Sequence, residues 1–458
     1  MEGGYGLISC IPIVVLLVSV LWTKRIFECI IVAIAIALFI GEGFSGMLWA
    51  FIDLIYVMLA DETYSWILLM LLLFGGLIKL LEESGGTFGF GAVATKYIKS
   101  DKSSLLATYI LGILIFIDDY LNNLTIGSAM RGITDRYKVP REMLAITINT
   151  TGAPICVLNP FSTWAVFIFG LMQAAGVTGD QTLVVGYTKL IPYIWYAIVA
   201  VLMVPLMIYG VIPRVGPLKK AYQRVEEKGL LFPEELAESS AELDEARERI
   251  LSKVDPKLRN FLIPMLVVVA VTLVTEDLVP GVILGILTCF IMYIPAKVMT
   301  IKEFIENFFE GMKDMIFIAT FIMMAFIFVE IENGLGFSDY VIETVKPYMI
   351  GGLIPVITFI VVGLMSFAGM DFWAVMILFF PIVVPLSEHF GINLYLAMGS
   401  IVSGATFGGH ACFFSDQMLM SSASVQIRAT DEAVALLPYA VMAAVVTAVL
   451  YLIFGFVL

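Results

Sequence analysis

Apolar segments long enough to cross a lipid bilayer are the feature that most constrains how this chain folds. Runs such as IIVAIAIALFI (residues 30–40) and LVVVAVTLV (266–274) are apolar on every side, and a helix of roughly 17 to 25 such residues spans a hydrocarbon core of about 30 Å. Strands of a membrane barrel would alternate apolar and polar residues over about ten positions. Together with a charged fraction of only 14%, these runs predict an all-α polytopic membrane protein embedded in a lipid bilayer.

The remaining composition excludes several classes of function. The five cysteines are far apart, without the close spacing that zinc sites need. The chain has no Walker-type phosphate loop and no nucleophile motif, and its two histidines are too few for most metal centres. No basic patch interleaved with aromatic residues indicates binding to nucleic acid. We therefore expect a protein that is not an enzyme, contains no organic cofactor and binds no nucleic acid.

A hydrophilic stretch near the middle divides the chain into two halves with the same order of segments. We assign residues 1–212 to a first transmembrane repeat, 213–257 to a cytoplasmic linker and 258–458 to a second transmembrane repeat. Apolar spans and polar motifs recur at an offset of about 250 residues, and the lysines and arginines of the linker favour its cytoplasmic location. If the first half crosses the membrane an odd number of times, the second half has the opposite orientation in the membrane. We predict two inverted repeats with broken or re-entrant helices near the midplane, an arrangement typical of secondary transporters.

The stretch FIDDYLNNLTIG (116–127) follows thirteen uncharged residues, 105–117. Its candidate site residues are Asp118, Asp119, Asn122, Asn123 and Thr125. In a helix, each aspartate would share a face with the asparagine four residues later. Carboxylate, amide and hydroxyl oxygens are hard donors suited to an alkali cation, so Asp118, Asp119 and Asn122 are candidate Na+ ligands. The alternative is an acidic pair that ends a helix at the membrane surface.

A second polar motif, NTTGAPICVLNPFSTW (149–164), contains glycine and two prolines within an apolar stretch. Its candidate site residues are Thr150, Thr151, Asn159, Ser162 and Thr163. Glycine and proline break helices, and the freed backbone carbonyls are tolerated at membrane depth only beside a cavity or protein partners. The motif therefore predicts a discontinuous helix at a transport site, with a short connecting loop as the alternative.

The corresponding motif of the second half is SGATFGGHACFFSDQMLMSSAS (403–424). Its candidate site residues are Ser403, Thr406, His410, Ser415 and Asp416. Histidine changes charge near neutral pH, so His410 is a candidate proton carrier, although a buried histidine is as often a hydrogen-bonded packing residue. Asp371, in FAGMDFW, lies opposite Asp119 in the repeat and is a further candidate.

These three motifs together resemble those of the NhaC family of sodium/proton antiporters, over most of the chain. The resemblance implies an ion-transporter-type fold of inverted repeats and cation-coupled exchange, with the site built from these motifs. One departure concerns the last motif, where relatives commonly carry an acid before the histidine and this chain has Gly409 before His410. Phe413 and Phe414 also replace smaller residues there, and these changes favour a larger organic solute.

The leading expectation is a secondary active antiporter of the Na+/H+ type, with Na+ and H+ as its partners and no cofactor beyond the coupling ion. The alternative is a Na+- or H+-coupled carrier of an amino acid or organic acid on the same fold. An ion channel would use similar broken helices and oxygen-rich motifs, and a membrane enzyme has no nucleophile or metal set in its favour. We expect a multi-pass protein of a cell membrane, specifically the bacterial cytoplasmic membrane, and a homodimer is a further expectation.

Overall fold

The computed structural model describes residues 5–23, 26–86, 89, 98–177, 179, 181–233, 257–275, 277–337, 340, 343–344, 350–368, 372–413 and 415–458. Within these residues, all regular structure is helical and no strand occurs.

Helices of the first half range from four to 35 residues in length. They are α1 (Ile11–Thr23), α2 (Ile26–Ala60), α3 (Glu62–Glu83), α4 (Asp101–Leu114), α5 (Asp119–Arg136), α6 (Arg141–Thr151), α7 (Ala153–Cys156), α8 (Thr163–Ala174), α9 (Leu183–Leu190) and α10 (Trp195–Tyr209). Helix α2 contains a kink at Gly43, whose φ of 69° is accessible to glycine at little cost.

The linker and the second half contribute the remaining helices of the described residues. They are α11 (Gly216–Lys228), α12 (Arg259–Thr275), α13 (Leu278–Tyr293), α14 (Ile301–Leu335), α15 (Ile354–Phe367), α16 (Phe372–His389), α17 (Leu394–Ala411), α18 (Asp416–Val425) and α19 (Ala429–Gly455).

Some helices are long enough to cross a bilayer, whereas others are too short to do so alone. Four spans of the described residues meet the length and hydropathy of a crossing helix: Phe27–Ala60, Tyr64–Glu83, Phe372–His389 and Ala429–Gly455. A fifth would consist of Leu183–Tyr193 and Trp195–Tyr209, which meet at a bend of 67°. Several other apolar helices have only 10–17 residues. The chain is a multi-pass membrane protein with broken helices.

The two halves repeat the same helices at a constant spacing. Helices that begin at Asp101, Asp119, Arg141 and Thr163 have counterparts that begin at Ile354, Phe372, Leu394 and Asp416, an offset of 253 residues in every case. The sequence predicted an offset of about 250 residues, and the helix starts give its value as 253 residues.

Contacts between the halves are reciprocal. Helix α5 packs against α18, and their counterparts α16 and α8 also pack against each other. The last span of the first half, at α10, contacts α17, while the last span of the second half, α19, contacts α6. Exchanging the halves thus reproduces the contacts, as expected for repeats related by a two-fold axis. These features confirm the predicted all-α polytopic fold of two inverted repeats.

The first part of the linker packs against the membrane helices. Helix α11 buries Leu218, Ala221, Tyr222 and Val225 on one face, and it contacts both α6 and α19. This spacing of apolar residues is that of an amphipathic helix. The linker therefore contacts one helix of each repeat.

Candidate functional site

Asp118 caps the N-terminus of α5 inside the protein. One oxygen, Oδ1, accepts hydrogen bonds from the backbone N–H groups of Tyr120 (3.0 Å) and Leu121 (3.1 Å), and Oδ2 accepts one from the Thr163 hydroxyl (3.2 Å). The side chain is buried, with 6% of its surface exposed. Asp118 precedes the helix with extended backbone dihedrals, so the predicted sharing of a helical face with Asn122 is wrong.

Asp119, the first residue of α5, has one paired and one unpaired carboxylate oxygen. Its Oδ1 accepts a hydrogen bond from the indole N–H of Trp164 at 3.0 Å. Its Oδ2 is buried and has no hydrogen-bond partner among the described residues. The residue is only 1% exposed, so the acidic pair does stand at a helix terminus, the start of α5, and this terminus is buried in the protein interior.

Asn122 joins the ends of two other helices through one amide. Its Nδ2 lies 2.8 Å from the carbonyl oxygens of Gly112 and Ile115 and 3.0 Å from that of Thr151. These carbonyls are at the C-terminal ends of α4 and α6, where a helix leaves carbonyl groups without internal partners. The Oδ1 of Asn122 is buried and has no partner within the described structure.

Asn123, on the next position of α5, has neither amide atom paired with a described residue. It faces the break between α6 and α7, since a Cβ added to Gly152 would lie 2.7 Å from Asn123 Oδ1. Glycine at the break therefore makes room for this amide. Thr125 is also buried on α5, with 5% of its surface exposed.

Three unpaired oxygens thus occur within the first turns of α5: Asp119 Oδ2, Asn122 Oδ1 and Asn123 Oδ1. A carboxylate with amide oxygens provides the hard oxygen ligands that an alkali cation requires. Gln417 of α18 lies beside Asp119, and neither of its amide atoms meets hydrogen-bond geometry with the described residues. Within the described part of the chain, no three acids, histidines or cysteines form a metal-binding group.

The other side chains of the second motif have structural partners. Ser162 caps α8 by accepting a hydrogen bond from the Ala165 N–H at 3.1 Å, as N-cap serines do. Asn159 accepts one from the Phe161 N–H at 2.9 Å within the preceding turn. The Thr151 hydroxyl donates to carbonyls of its own helix. The motif breaks the helix as predicted, and among these three only the Thr151 backbone contacts the first motif.

His410 belongs to a separate buried cluster. Its Nε2 lies 3.0 Å from the Thr150 hydroxyl and its Nδ1 lies 2.8 Å from the Tyr196 hydroxyl. These contacts connect α17 with α6 and α10 and use both ring nitrogens. The Ser403 hydroxyl lies 2.8 Å from a tyrosine hydroxyl, and Thr406 donates to a carbonyl of α17.

Asp416 connects the last motif to the first. Its Oδ2 accepts a hydrogen bond from the Tyr120 hydroxyl at 3.0 Å, and its side chain is exposed. The preceding residue, Ser415, caps α18 by accepting from the Met418 N–H at 3.2 Å. Asp416 therefore lies at the accessible edge of the group that contains Asp119.

Asp371 lies outside the described residues. The offset of 253 residues between helix starts aligns it with Asp118, whereas the sequence analysis placed it opposite Asp119. The two alignments of Asp371 differ by one residue, and both place it opposite an acid because Asp118 and Asp119 are adjacent.

Several buried polar residues of these clusters were not among the candidates. Trp164 binds Asp119, and Gln417 lies beside it. Asn149 donates to Glu432 at 2.8 Å. Trp164 and Gln417 directly follow predicted residues in their motifs, a signal that could have identified them, whereas Glu432 resembles an ordinary acid in the first turn of a helix.

Comparison with known proteins identifies the family. Residues 155–456 match the Na+/H+ antiporter family. This chain belongs to that family. The match covers the C-terminal part of the second polar motif and nearly all of the second half, and it confirms the predicted relationship to sodium/proton antiporters. The protein is accordingly a secondary transporter of the antiporter type, with Na+ and H+ as its transported ions.

Individual relatives extend the comparison over nearly the whole chain. An uncharacterized protein of Haemophilus influenzae is 25% identical, covering 98% of this chain and 91% of the relative. The fold is similar to that of MtrF from Neisseria gonorrhoeae, described as illuminating a class of antimetabolite efflux pumps, with a TM-score of 0.59, 12% identity and coverage of 91% and 85%. It is also similar to the YdaH transporter of Alcanivorax borkumensis, described as having an unusual topology, with a TM-score of 0.55, 10% identity and coverage of 90% and 88%.

Proposed function

We propose that this antiporter binds Na+ and H+ alternately at Asp119, with the amide oxygens of Asn122 and Asn123 as further ligands of Na+. The observation that carries the proposal is the presence of three buried, unpaired oxygens on the first turns of α5. Buried polar atoms are normally hydrogen-bonded, and an unpaired group in the native fold calls for an explanation such as an ion.

Competition between the two ions provides the coupling. An uncompensated carboxylate at membrane depth costs about 2.5–3.5 kcal/mol on insertion scales, and a proton or a bound cation removes that charge. Because Na+ requires the ionised carboxylate, its binding expels the proton from Asp119. Exchange follows when the site moves across the membrane in one direction with Na+ bound and in the opposite direction with the proton bound.

Asp118 has a positioning role in this proposal. Both of its oxygens already accept hydrogen bonds from the N-terminal end of α5 and from Thr163. These contacts hold the first turn of α5 and orient Asp119. A sodium ion near Asp119 would also weaken the repulsion between the two adjacent carboxylates.

The test is Na+-driven proton movement in proteoliposomes. Asp119→Asn should abolish the exchange and the thermal stabilisation of the purified protein by Na+. Asp118→Asn should reduce the exchange while leaving the fold intact, because asparagine is also a good N-cap. The matched control is Asp314→Asn, since Asp314 is an exposed acid of α14. Normal exchange in the Asp119 variant would refute the assignment.

A second candidate function is Na+- or H+-coupled transport of an amino acid or organic acid. The observation in its favour is an aromatic cluster beside Asp119, in which the Trp164 ring lies 4.7 Å from that of Phe372 and 4.4 Å from that of Trp373. A small cation needs no aromatic rings, whereas an organic solute would pack on them in a state of the carrier that exposes this buried cluster. A panel of ions, amino acids and organic acids in a thermal-stability assay separates the candidates: stabilisation by alkali cations alone excludes the organic solute.

The proposal extends to location and assembly. We infer the bacterial cytoplasmic membrane as the location, supported by the bacterial relative, and transport without catalysis and without a cofactor beyond the two ions. A homodimer is a further prediction, and the mass of the protein in detergent or nanodiscs tests it.

A further inference from the structure

Glu432 is a buried acid that the proposed Na+ site does not use. It lies in the first turn of α19, where acids usually interact with the helix dipole while exposed to water. Here its exposed fraction is 0%, because α6, α18 and α19 pack together around it. Asn149 Nδ2 lies 2.8 Å from its Oε1, and Ser421 Oγ lies 2.8 and 2.7 Å from its Oε1 and Oε2.

These partners satisfy both protonation states of Glu432. When the carboxylate is ionised, Asn149 donates to one oxygen and the Ser421 hydroxyl donates to the other. When it is protonated, the carboxylic O–H donates to Ser421 Oγ, and the Ser421 hydroxyl turns to the Met418 carbonyl, 3.2 Å away. A hydroxyl both donates and accepts. Rotation of one hydroxyl therefore accommodates a proton without rearranging the backbone.

Charged groups lie beside the first turns of α19 on the linker side, and none of the described residues forms an ion pair with Glu432. A surface cavity of about 280 Å³ lies next to the first turns of α19, and it is lined by the neighbouring Asp431 but not by Glu432 itself. The charged residues that line it are Glu142 of α6, Lys220 and Arg224 of α11, and Asp431 of α19. Several charged residues of this region form ion pairs with each other and not with Glu432. These pairs are Arg224 with Glu142, Arg141 with Asp135, and Arg428 with Asp431. Other titratable or charged groups near the packed helices are His410 of α17, Tyr196 of α10, Asp416 at the start of α18, and Arg131 of α5, which donates to the Ser424 carbonyl of α18 at 3.3 Å.

Toward the interior, Asn149 connects Glu432 with the His410 cluster. Asn149 Nδ2 lies 3.5 Å from the His410 carbonyl oxygen, and the next residue along α6, Thr150, contacts the His410 ring. Asn149 belongs to the first repeat, whereas Ser421 and Glu432 belong to the second. A change of charge at Glu432 therefore acts on the contact between the repeats.

We propose that Glu432 is a second proton-binding group of the antiporter, distinct from Asp119, which takes up protons from the linker-side cavity. The inference rests on the proposed Na+/H+ exchange. Glu432 binds a proton on its own carboxylate and releases it to the same cavity, so no other reactant is required. Because its partners come from both repeats, its protonation biases their relative position, and it determines how exchange depends on the pH of that side.

The variant Glu432→Gln tests this inference, because glutamine keeps the shape and the hydrogen bonds but cannot titrate. In proteoliposomes, it should retain the stabilisation of the protein by Na+ at Asp119 and lose the pH dependence of exchange on the linker side. Glu227→Gln is the matched control, because Glu227 is an exposed glutamate of α11 that does not line the cavity, and this variant should keep the wild-type pH profile. A wild-type pH profile in Glu432→Gln would overturn the inference.

Infrared spectroscopy separates this inference from the proposed function. In the wild-type protein, carboxylic acid C=O absorption that titrates with bulk pH should be present, and the component that belongs to Glu432 should be missing from Glu432→Gln, while that of Asp119 is retained. If the wild type showed no Na+ exchange, the proposed function would fail while this band would still report on Glu432. The absence of any band that differs between wild type and variant across the pH range would refute proton binding at Glu432.

Discussion

Replacing Asn122 by alanine should destabilise the fold much more than the same change at Asn123. Both amides are buried on consecutive positions of α5, so both truncations remove the same atoms from a similar environment. They differ in their hydrogen bonds, since Asn122 Nδ2 contacts three backbone carbonyls, whereas neither amide atom of Asn123 is paired with a described residue.

The structure sets the size of the difference. An amide has two N–H groups, so Asn122 makes two of its three contacts at full strength at a time. Side-chain hydrogen bonds in membrane bundles average about 0.6 kcal/mol and reach about 1.7 kcal/mol. The loss of two such bonds predicts that Asn122→Ala lowers the free energy of unfolding by about 1–3 kcal/mol more than Asn123→Ala.

The assay is reversible unfolding in mixed micelles, followed by helical circular dichroism in buffer without Na+. Omitting the cation ensures that any ligand role of the two amides does not contribute. Equal losses in the two variants, or a larger loss for Asn123→Ala, would show that the three carbonyls do not depend on Asn122.

Two further predictions concern packing and the linker. Gly112→Ala should cost about 1–3 kcal/mol of unfolding free energy, because the new Cβ would overlap with Thr151 Oγ1. The control Gly334→Ala, with no atom within 4 Å of its Cβ, should leave the thermal midpoint unchanged or higher. Arg224→Ala should lower the thermal midpoint, because it removes the guanidinium that lies 2.9 Å from the carboxylate of Glu142, a side chain only 5% exposed. Adding Glu142→Gln to this variant should restore part of the loss. No loss in the single variant would contradict the ion-pair argument.

The architecture follows from the sequence to a large extent. The apolar runs predict the helices, and the repeated motifs predict the two halves, because both patterns depend on local residue order. Acids after an apolar run and glycine with proline in NTTGAP also predict where helices break. The alignment of Asp371 differs by one residue, since only the helix starts define the offset between the halves.

The division of roles within the site is not readable from residue order. Asn122 and Asn123 are identical neighbours, yet one binds broken helix ends and the other faces Gly152 unpaired. That difference depends on where two other helices end in space. Glu432 likewise looks like a surface acid until α6 and α18 cover it.

The amide of Asn122 has a consequence for movement. It binds the C-terminal ends of α4 and α6 to the N-terminal part of α5, so a displacement of any one of these three helices pulls on the other two. The breaks between these helices are therefore held together by hydrogen bonds, and we expect the three helices to move as one unit. The unpaired oxygens of α5 belong to this unit, so an ion bound to them would move together with it.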